Sequence, residues 1–406
     1  MPAVERASLR VRIGRQAAVL AALWLAGSQA LAGGPLLVRS NGVPFAWGTG
    51  TINYRTDNGP LSPTVPEATA QARVIAMFDV WQGVPTSYIS FSRVGFINST
   101  GAFTDGDVST LAEYDAVDAD CAAGNQSPVV YDADGSIVAG LGMDNTSVIG
   151  FASPCTSNAT NYLTGLIVMN GRFQDGLPSP GDIPEPAFDA AIIHEIGHFS
   201  GLDHSQINVN CMNPCGTDDL AGVPTMFPFL VSSTQASLSV DDMAWISRLH
   251  PRTSGGPTFA GTYGTLSGVV FFSDGQSHAQ FVNVIARPVG IPQNRTSPVS
   301  VISGYRFRAI HGNPITGDTP SQFGSTAPGD IGLFEIPVPA GSYTIEVESV
   351  HPDFTDGSSI GPYQIAMPGT APPPSVPVSV AAGATSSGNN VTLIGTPPRF
   401  DQFEGP

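Results

Sequence analysis

The sequence contains no lysine, and all 16 of its basic residues are arginines. Charged residues make up only 12% of the 406 positions, and the 33 acidic residues give a formal net charge of −17. A chain this acidic has little attraction for phosphate backbones or anionic lipids, so we expect no nucleic-acid partner. The absence of lysine has no functional explanation in the sequence.

Long apolar runs are also missing. The apolar stretch at residues 17–27 is too short to cross a bilayer, and no other segment is long and apolar enough. The apolar stretch follows a basic stretch and precedes a small-x-small pattern at residues 30–32. This order is typical of a secretory signal peptide, here cleaved after Ala32. The basic stretch contains Arg6, Arg10, Arg12 and Arg15.

We therefore expect residues 1–32 to be a signal peptide and the mature protein to have no transmembrane segment. Its expected location is secreted or extracellular, with the periplasm or the cell envelope as alternatives. Removing four arginines and one glutamate, Glu5, would change the net charge from −17 to −20. This stronger negative charge suits a protein that recruits divalent cations rather than one that binds polyanions.

Cysteine is scarce, with only four residues. In an exported chain four cysteines most simply form two disulfides, for which three connectivities exist. We favour Cys121–Cys155 and Cys211–Cys215, because each pair brackets one loop-rich segment. Zinc binding by the thiolates is the weaker alternative, since the sequence offers histidines for that purpose.

Residues 45–250 have the pattern of an α+β unit. Helical periodicity covers residues 66–83, and a second helix is expected between Pro184 and Gly201, since proline suits a first helical turn and glycine a helix end. Strands separated by these helices predict a mixed sheet backed by helices. The expected strands are residues 51–55, 88–91, 129–131, 148–152 and 166–170.

The pattern changes after a linker at residues 251–261. Residues 262–396 contain short β-type runs separated by turn residues, which predicts an all-β sandwich. The chain as a whole contains 46 glycines and 36 prolines and is therefore rich in turns. Residues 397–406 are expected to form a loose tail. The best strands of the second unit are residues 268–272, 281–286, 333–338, 343–350 and 391–394.

The most informative segment is residues 194–204, His-Glu-Ile-Gly-His-Phe-Ser-Gly-Leu-Asp-His. His194 and His198 are four residues apart, so on a helix they point to the same side and can bind one metal ion. Gly201 lets the chain turn back and deliver His204 as a third ligand. Three neutral imidazoles leave a fourth position open, which is typical of a catalytic zinc.

Glu195 follows the first ligand and can reach a metal-bound water without occupying a ligand position. The segment therefore predicts a zinc metalloendopeptidase, a hydrolase in which Glu195 is the general base and acid. One competing interpretation is a helix with core histidines, which does not explain their spacing around a glutamate. Another is an exported binding or adhesion protein with an inactive or partner-restricted domain of this type.

At this point the sequence resembles a known family. Residues 194–204 resemble the zinc motif of the metzincin metalloproteases, and residues 224–228, with Met226, resemble their Met-turn. Among metzincins the chain is most similar to the matrixins, through residues 201–205, the Met-Phe-Pro of the turn and the segment 238–249.

The resemblance covers residues 45–250 and implies a twisted five-stranded sheet. In that arrangement residues 148–152 would be the edge strand that pairs with an extended peptide or protein substrate. The loop 227–236 would shape the pocket after the scissile bond, and Phe151 and Phe227 would line the cleft.

Two features depart from the matrixins. A dozen or so residues separate Ala32 from Trp47, and the first cysteine is Cys121, so we expect no cysteine-bearing propeptide of the matrixin type. No histidine lies between Trp47 and Ala190, so we expect one zinc ion and no second, structural one.

Several weaker signals lie around this motif. Asp132, Asp134 and Ser136 form a fragment of a calcium-loop pattern, for which a solvated turn is the alternative. Asp203 is expected to orient groups around the metal site. Asp241 and Asp242 lie where a helix begins and are expected at least to cap it.

The second unit resembles the carboxypeptidase regulatory-like, transthyretin-type β-sandwich, through residues 264–272 and 337–347. This resemblance implies binding or positioning by residues 262–396 rather than chemistry. The remaining histidines are scattered and are expected at the surface: His250, His278, His311 and His351.

Overall fold

The computed structural model describes residues 7–11, 33–98, 104–118, 122, 124–156, 161–307, 324–350 and 374–394. Its helices are α1 Glu67–Gln82, α2 Leu111–Asp118, α3 Ser136–Gly140, α4 Glu185–Phe199, α5 Thr217–Ala221, α6 Val240–Leu249, α7 Phe259–Thr262 and α8 Gln293–Thr296. Its strands are β1 Ala7–Val11, β2 Ile52–Thr56, β3 Phe91–Phe96, β4 Pro128–Asp132, β5 Val148–Cys155, β6 Thr164–Asn170, β7 Phe229–Leu230, β8 Tyr263–Phe271, β9 Val282–Pro288, β10 Val299–Ile302, β11 Leu333–Pro339, β12 Gly341–Ser349, β13 Val378–Val380, β14 Thr385–Ser386 and β15 Val391–Thr392.

The first sheet has the order β3-β2-β4-β6-β5-β1-β7. Strands β3, β2, β4 and β6 are parallel, and β5 is antiparallel to β6, so these five strands form the expected mixed sheet. Alternate residues of β4 face opposite sides, with Val129 in one core and Val130 in the other. Helices α1 and α4 cover one face, where Trp81 Nε1 donates to Ile193 O over 2.8 Å.

Within residues 45–250, for which the edge position was predicted, β5 ends the row of five strands, but in the described chain β1 from the expected signal peptide pairs with it. Strand β1 pairs with β5 in antiparallel orientation, with Ser8 opposite Phe151 and Leu9 opposite Gly150. On its other side β1 runs parallel to β7, with Arg10 opposite Phe229. The backbone groups that β5 would present at an edge are therefore paired within the chain.

The described residues of the C-terminal β unit, which spans residues 263–394, form two four-stranded sheets. One has the order β10-β9-β12-β13 and the other the order β11-β8-β14, with β15 also paired to β8. Side chains from both sheets join one core, such as Phe334 from the second sheet and Val284 and Ile345 from the first. The five strands expected here are present, but helix α8 and strands β10, β13 and β14 were not predicted.

Some predictions concern residues beyond the described ranges. Residues 12–32, which hold the apolar part of the expected signal peptide, are among them, as is the tail 397–406. Within the ranges that the structure describes, no helix is both long enough and apolar enough to cross a membrane.

Candidate metal centre

Helix α4 carries the first two histidines through the interior of the molecule. Pro184 precedes it, Glu185 and Pro186 form its exposed first turn, and every residue from Ala190 to Phe199 is buried. The sheet lies on one side of α4, and α1 and the Met226 segment contact its other sides. Burial on all sides requires a partner for each polar group on the helix.

His194, His198 and His204 lie close enough together to hold one metal ion, with one ligand atom from each within 4.8 Å of the others. The Nδ1 of His194 donates to Thr225 O over 2.7 Å, and the Nδ1 of His198 donates to Leu202 O over 2.8 Å. A carbonyl oxygen can only accept, so each ring carries its proton on Nδ1 and keeps a lone pair on Nε2. The Nε2 atoms of His198 and His204 are 3.2 Å apart.

The donor set fits a divalent transition metal. The Nε2 of His194 is buried and has no hydrogen-bond partner among the described residues. A buried nitrogen lone pair without a partner is unfavourable in a protein, whereas a metal ion would satisfy it. Burial lowers the pKa of His194 well below its usual value and that of His198 to about 4, so both rings are neutral, as metal ligands must be.

Two glycines shape the ligand geometry. Gly201 has a φ of +94°, the left-handed conformation that ends α4, as the sequence predicted. Gly197 lies against the sulfur of Met226, and a Cβ at this position would collide with that sulfur and lie 2.9 Å from the Trp81 ring. The Met226 segment can therefore approach α4 only because residue 197 is glycine.

Glu195, which directly follows His194 in the sequence, is fully buried. Its side chain packs against β5, since a Cβ on Gly150 would lie 3.1 Å from Glu195 Cγ. Gly150 is also the residue that pairs with Leu9 of β1. The Glu195 side chain thus projects from the helix that carries His194 and His198. It lies next to β5, the strand that pairs with β1.

Asp203 holds the third histidine through the backbone. Its Oδ1 accepts the N–H of His204 over 2.7 Å, and its own N–H donates to Gly34 O over 3.0 Å. Asp203 therefore holds the backbone of His204 rather than its imidazole ring.

Asp242 does more than the sequence indicated. The N-cap of α6 is Ser239, and Asp242 completes its capping box. Asp242 also accepts the N–H of Thr225 at 2.9 Å and that of Met226 at 3.1 Å. Because the Thr225 carbonyl holds His194, this aspartate anchors the peptide that orients the first ligand. Sequence spacing alone gave no signal for this contact.

The proposed calcium residues have local structural roles. Asp132 is buried and accepts the N–H groups of Ile137 and Val138 in the first turn of α3, and burial raises its pKa to about 6. Asp134 accepts the N–H of Ser136. These contacts form a turn in which Asp132 is buried rather than solvated, and calcium binding stays a prediction.

The cysteine prediction is confirmed for one pair. Cys211 and Cys215 form a disulfide with a Cα–Cα distance of 4.9 Å, and their segment lies between His204 and Met226 in the sequence. Cys155 is also disulfide-bonded. Cys121, its predicted partner, lies outside the described residues.

Two expectations about aromatic and histidine positions are corrected. Phe151 and Phe227 are 1% and 0% exposed, because Phe151 packs on Tyr114 and Phe227 packs beside the disulfide, so neither lines an open cleft. His250 is completely buried rather than at the surface, and its Nε2 accepts the N–H of Trp47 over 3.2 Å. His278 is partly buried, and His311 and His351 lie outside the described residues.

Comparison with protein-family models and with curated proteins gave no match. The functional conclusion therefore depends on the geometry of the site itself.

Proposed function

We propose that this protein is a zinc-dependent endopeptidase with a matrixin-like catalytic domain. The observation that supports this most directly is the convergence of three imidazoles, two of which have Nδ1 fixed on backbone carbonyls and Nε2 available for a metal. A site with three histidine ligands and one open position is the usual arrangement of catalytic zinc. The adjacent Glu195 supplies the carboxylate that peptide hydrolysis requires.

Zinc bound at this site would polarise the substrate carbonyl and lower the pKa of a water molecule to about 7. The residues of the chain have separate tasks. The Thr225 and Leu202 carbonyls orient His194 and His198, and Asp203 fixes the backbone of His204. Glu195 takes the proton of the water as general base and passes it to the departing amine as general acid.

An extended peptide is the proposed substrate. Strand β1 lies between β5 and β7 with its backbone paired to both, which supports a groove that accepts an extended chain. Leu9 of β1 lies opposite Gly150, and Gly150 contacts Glu195. A substrate in the same register would pass its backbone next to the catalytic carboxylate. Removal of residues 1–32 during export would leave this groove to the substrate.

The C-terminal β unit is proposed to be an accessory β-sandwich similar to carboxypeptidase regulatory-like domains. Its two four-stranded sheets and shared core support this. The protein is proposed to be secreted, on the strength of the sequence pattern of residues 1–32.

A peptide-library cleavage assay on the exported protein tests the proposal. We expect cleavage within peptides rather than at their ends, and we expect Glu195→Ala or a zinc chelator to abolish it. The Glu195→Ala variant should still bind zinc, because Glu195 is not a ligand. Zinc binding without Glu195-dependent cleavage of any peptide would instead indicate a binding protein with an inactive site.

A further inference from the structure

The C-terminal β unit contacts the segment that carries the third histidine. Ser205, the residue after His204, donates its N–H to Met226 O over 2.8 Å. The Oγ of Ser205 lies 3.4 Å from the Oγ of Ser300 in β10, and the hydroxyl also contacts the carboxyl of Asp241. Ser205 is therefore fixed at its backbone by the Met226 turn and at its side chain by α6 and the second unit.

Ser300 lies on an edge strand whose outward backbone groups are taken up by α6. Its N–H donates to Asp241 Oδ1 over 2.8 Å, and its carbonyl accepts Trp245 Nε1–H over 2.7 Å. Among the described residues, strand β10 pairs with β9 on one side only, so these two groups would lack protein partners there without α6. Asp241 and Trp245 are 2% and 4% exposed, and water cannot easily replace the missing partners.

The two neighbouring aspartates of α6 thus contact opposite ends of the segment 204–226, which begins with the third histidine. Asp242 holds the N–H groups of Thr225 and Met226, next to the carbonyl that orients His194. Asp241 connects Ser205, next to His204, to Ser300 of the C-terminal unit. Helix α6 therefore contacts both ends of the segment 204–226. The C-terminal β unit takes part in only one of these contacts, the one at Ser205.

We propose that Asp241, Trp245 and Ser300 are positioning residues for the third metal ligand, so that the C-terminal β unit is a structural part of the metal centre. This inference depends on the proposed function, since it assumes that His204 binds zinc. Residues that orient ligands through hydrogen bonds typically change metal affinity by about 10- to 100-fold when removed. Here Asp241 acts through Ser205, so the effect should lie near the lower end of that range.

The two units also meet at a second place, which offers a matched control. Arg295 of α8 forms an ion pair with Asp219 of α5. The pair crosses between the units but does not contact Ser205 or His204. Arg295→Gln should weaken the contact between the units without disturbing the third ligand.

The test measures the rate at which zinc leaves the full-length exported protein in the presence of an excess of a coloured chelator. We expect Asp241→Ala and Trp245→Phe to accelerate zinc loss about tenfold. Asp241→Asn should restore a rate near that of the wild type, because its Oδ1 can accept from Ser300 and its Nδ2 can donate to Ser205. Arg295→Gln should stay within about twofold of the wild type.

The thermal melting of each variant without zinc separates positioning from general stability. If Asp241→Ala and Trp245→Phe lower the melting temperature but lose zinc no faster than Arg295→Gln, the inference is wrong while the proposed function stands. If Asp241→Ala does not fold, Trp245→Phe provides the same comparison, because it removes one N–H and keeps an aromatic ring. Wild-type protein that binds no zinc would overturn the proposed function and this inference together.

Discussion

Met226 packs directly against Gly197, and no Cβ fits between them. The two residues lie 29 positions apart in the sequence, Gly197 in α4 and Met226 in the turn that packs against this helix. The contact matters because the preceding residue, Thr225, holds the Nδ1 of His194 through its carbonyl. The position of the first ligand therefore depends on how closely the turn approaches the helix.

Replacing Gly197 with alanine should displace this turn. The added methyl would collide with the Met226 sulfur and the Trp81 ring, both buried, and overpacking of this kind typically destabilises a protein by about 1–3 kcal/mol. We expect a lower melting temperature and weaker zinc binding. Gly216→Ala is the matched control, because nothing lies within 4 Å of its added Cβ and its φ is −69°. Equal effects of the two substitutions would contradict the role given to Gly197.

Gly150→Ala should impair catalysis while zinc stays bound. The new methyl would lie 2.9 Å from Val168 O and 3.1 Å from Glu195 Cγ, so either β5 or the glutamate must move. A small misplacement of a catalytic group can lower the rate by about 100-fold. Measuring kcat and zinc content on the same sample distinguishes this from ligand loss. A normal kcat would show that the Glu195 position does not depend on Gly150.

Metal removal should destabilise the protein. The three imidazoles converge in a buried site, and the Nε2 of His194 has no other partner among the described residues. Zinc at 100 times its dissociation constant should stabilise the folded state by about 2.7 kcal/mol. Calorimetry with zinc and with chelator measures the shift in melting temperature. His204→Gln should lose this zinc-dependent shift. A wild-type melting temperature that is the same with zinc and with chelator would contradict the account.

The buried His250 predicts a specific pH dependence. Burial lowers its pKa from 6.5 to about 3, so the folded protein keeps the ring neutral where the unfolded chain would protonate it. Its contribution to stability is therefore fully present above pH 6.5 and is lost as the pH falls towards 3, by up to about 1.4 kcal/mol per pH unit.

The comparison is between wild type and His250→Gln, both without metal. Glutamine can still accept the Trp47 N–H but does not titrate, so this part of the acid destabilisation should disappear. Chemical denaturation from pH 7 to pH 4 gives the free energy of unfolding of each. Parallel curves would show that His250 does not cause the dependence.

Helix α4 was predictable because its sequence signals are local. Histidine spacing, the preceding prolines and the terminal glycine all depend on residues near one another in the chain, and α4 and Gly201 have the expected conformations. Most strands of the first sheet were also found, with ends displaced by a few residues. The strand expected at residues 88–91 instead begins at Phe91, because residues 84–87 form a turn and the N–H of Tyr88 donates to His250 O, just after α6.

The contacts that complete the site were not predictable because they depend on tertiary packing. Asp242 looked like a helix cap, and nothing in its neighbours indicates that it reaches Thr225 and Met226. His250 looked like a surface residue, since its burial depends on Trp47, about 200 positions away. Strand β10 was missed because it is only four residues long and lies between polar segments.

The central claim is tested most directly by titrating zinc into metal-free protein while the rate of peptide cleavage is measured. If His194, His198 and His204 form one catalytic site, the rate should start near zero, rise in proportion to zinc, and stop rising at one zinc per chain. The Glu195→Ala variant should bind the same single zinc and remain inactive. Cleavage by the metal-free protein, or a wild type that stays inactive with its zinc bound, would contradict the account.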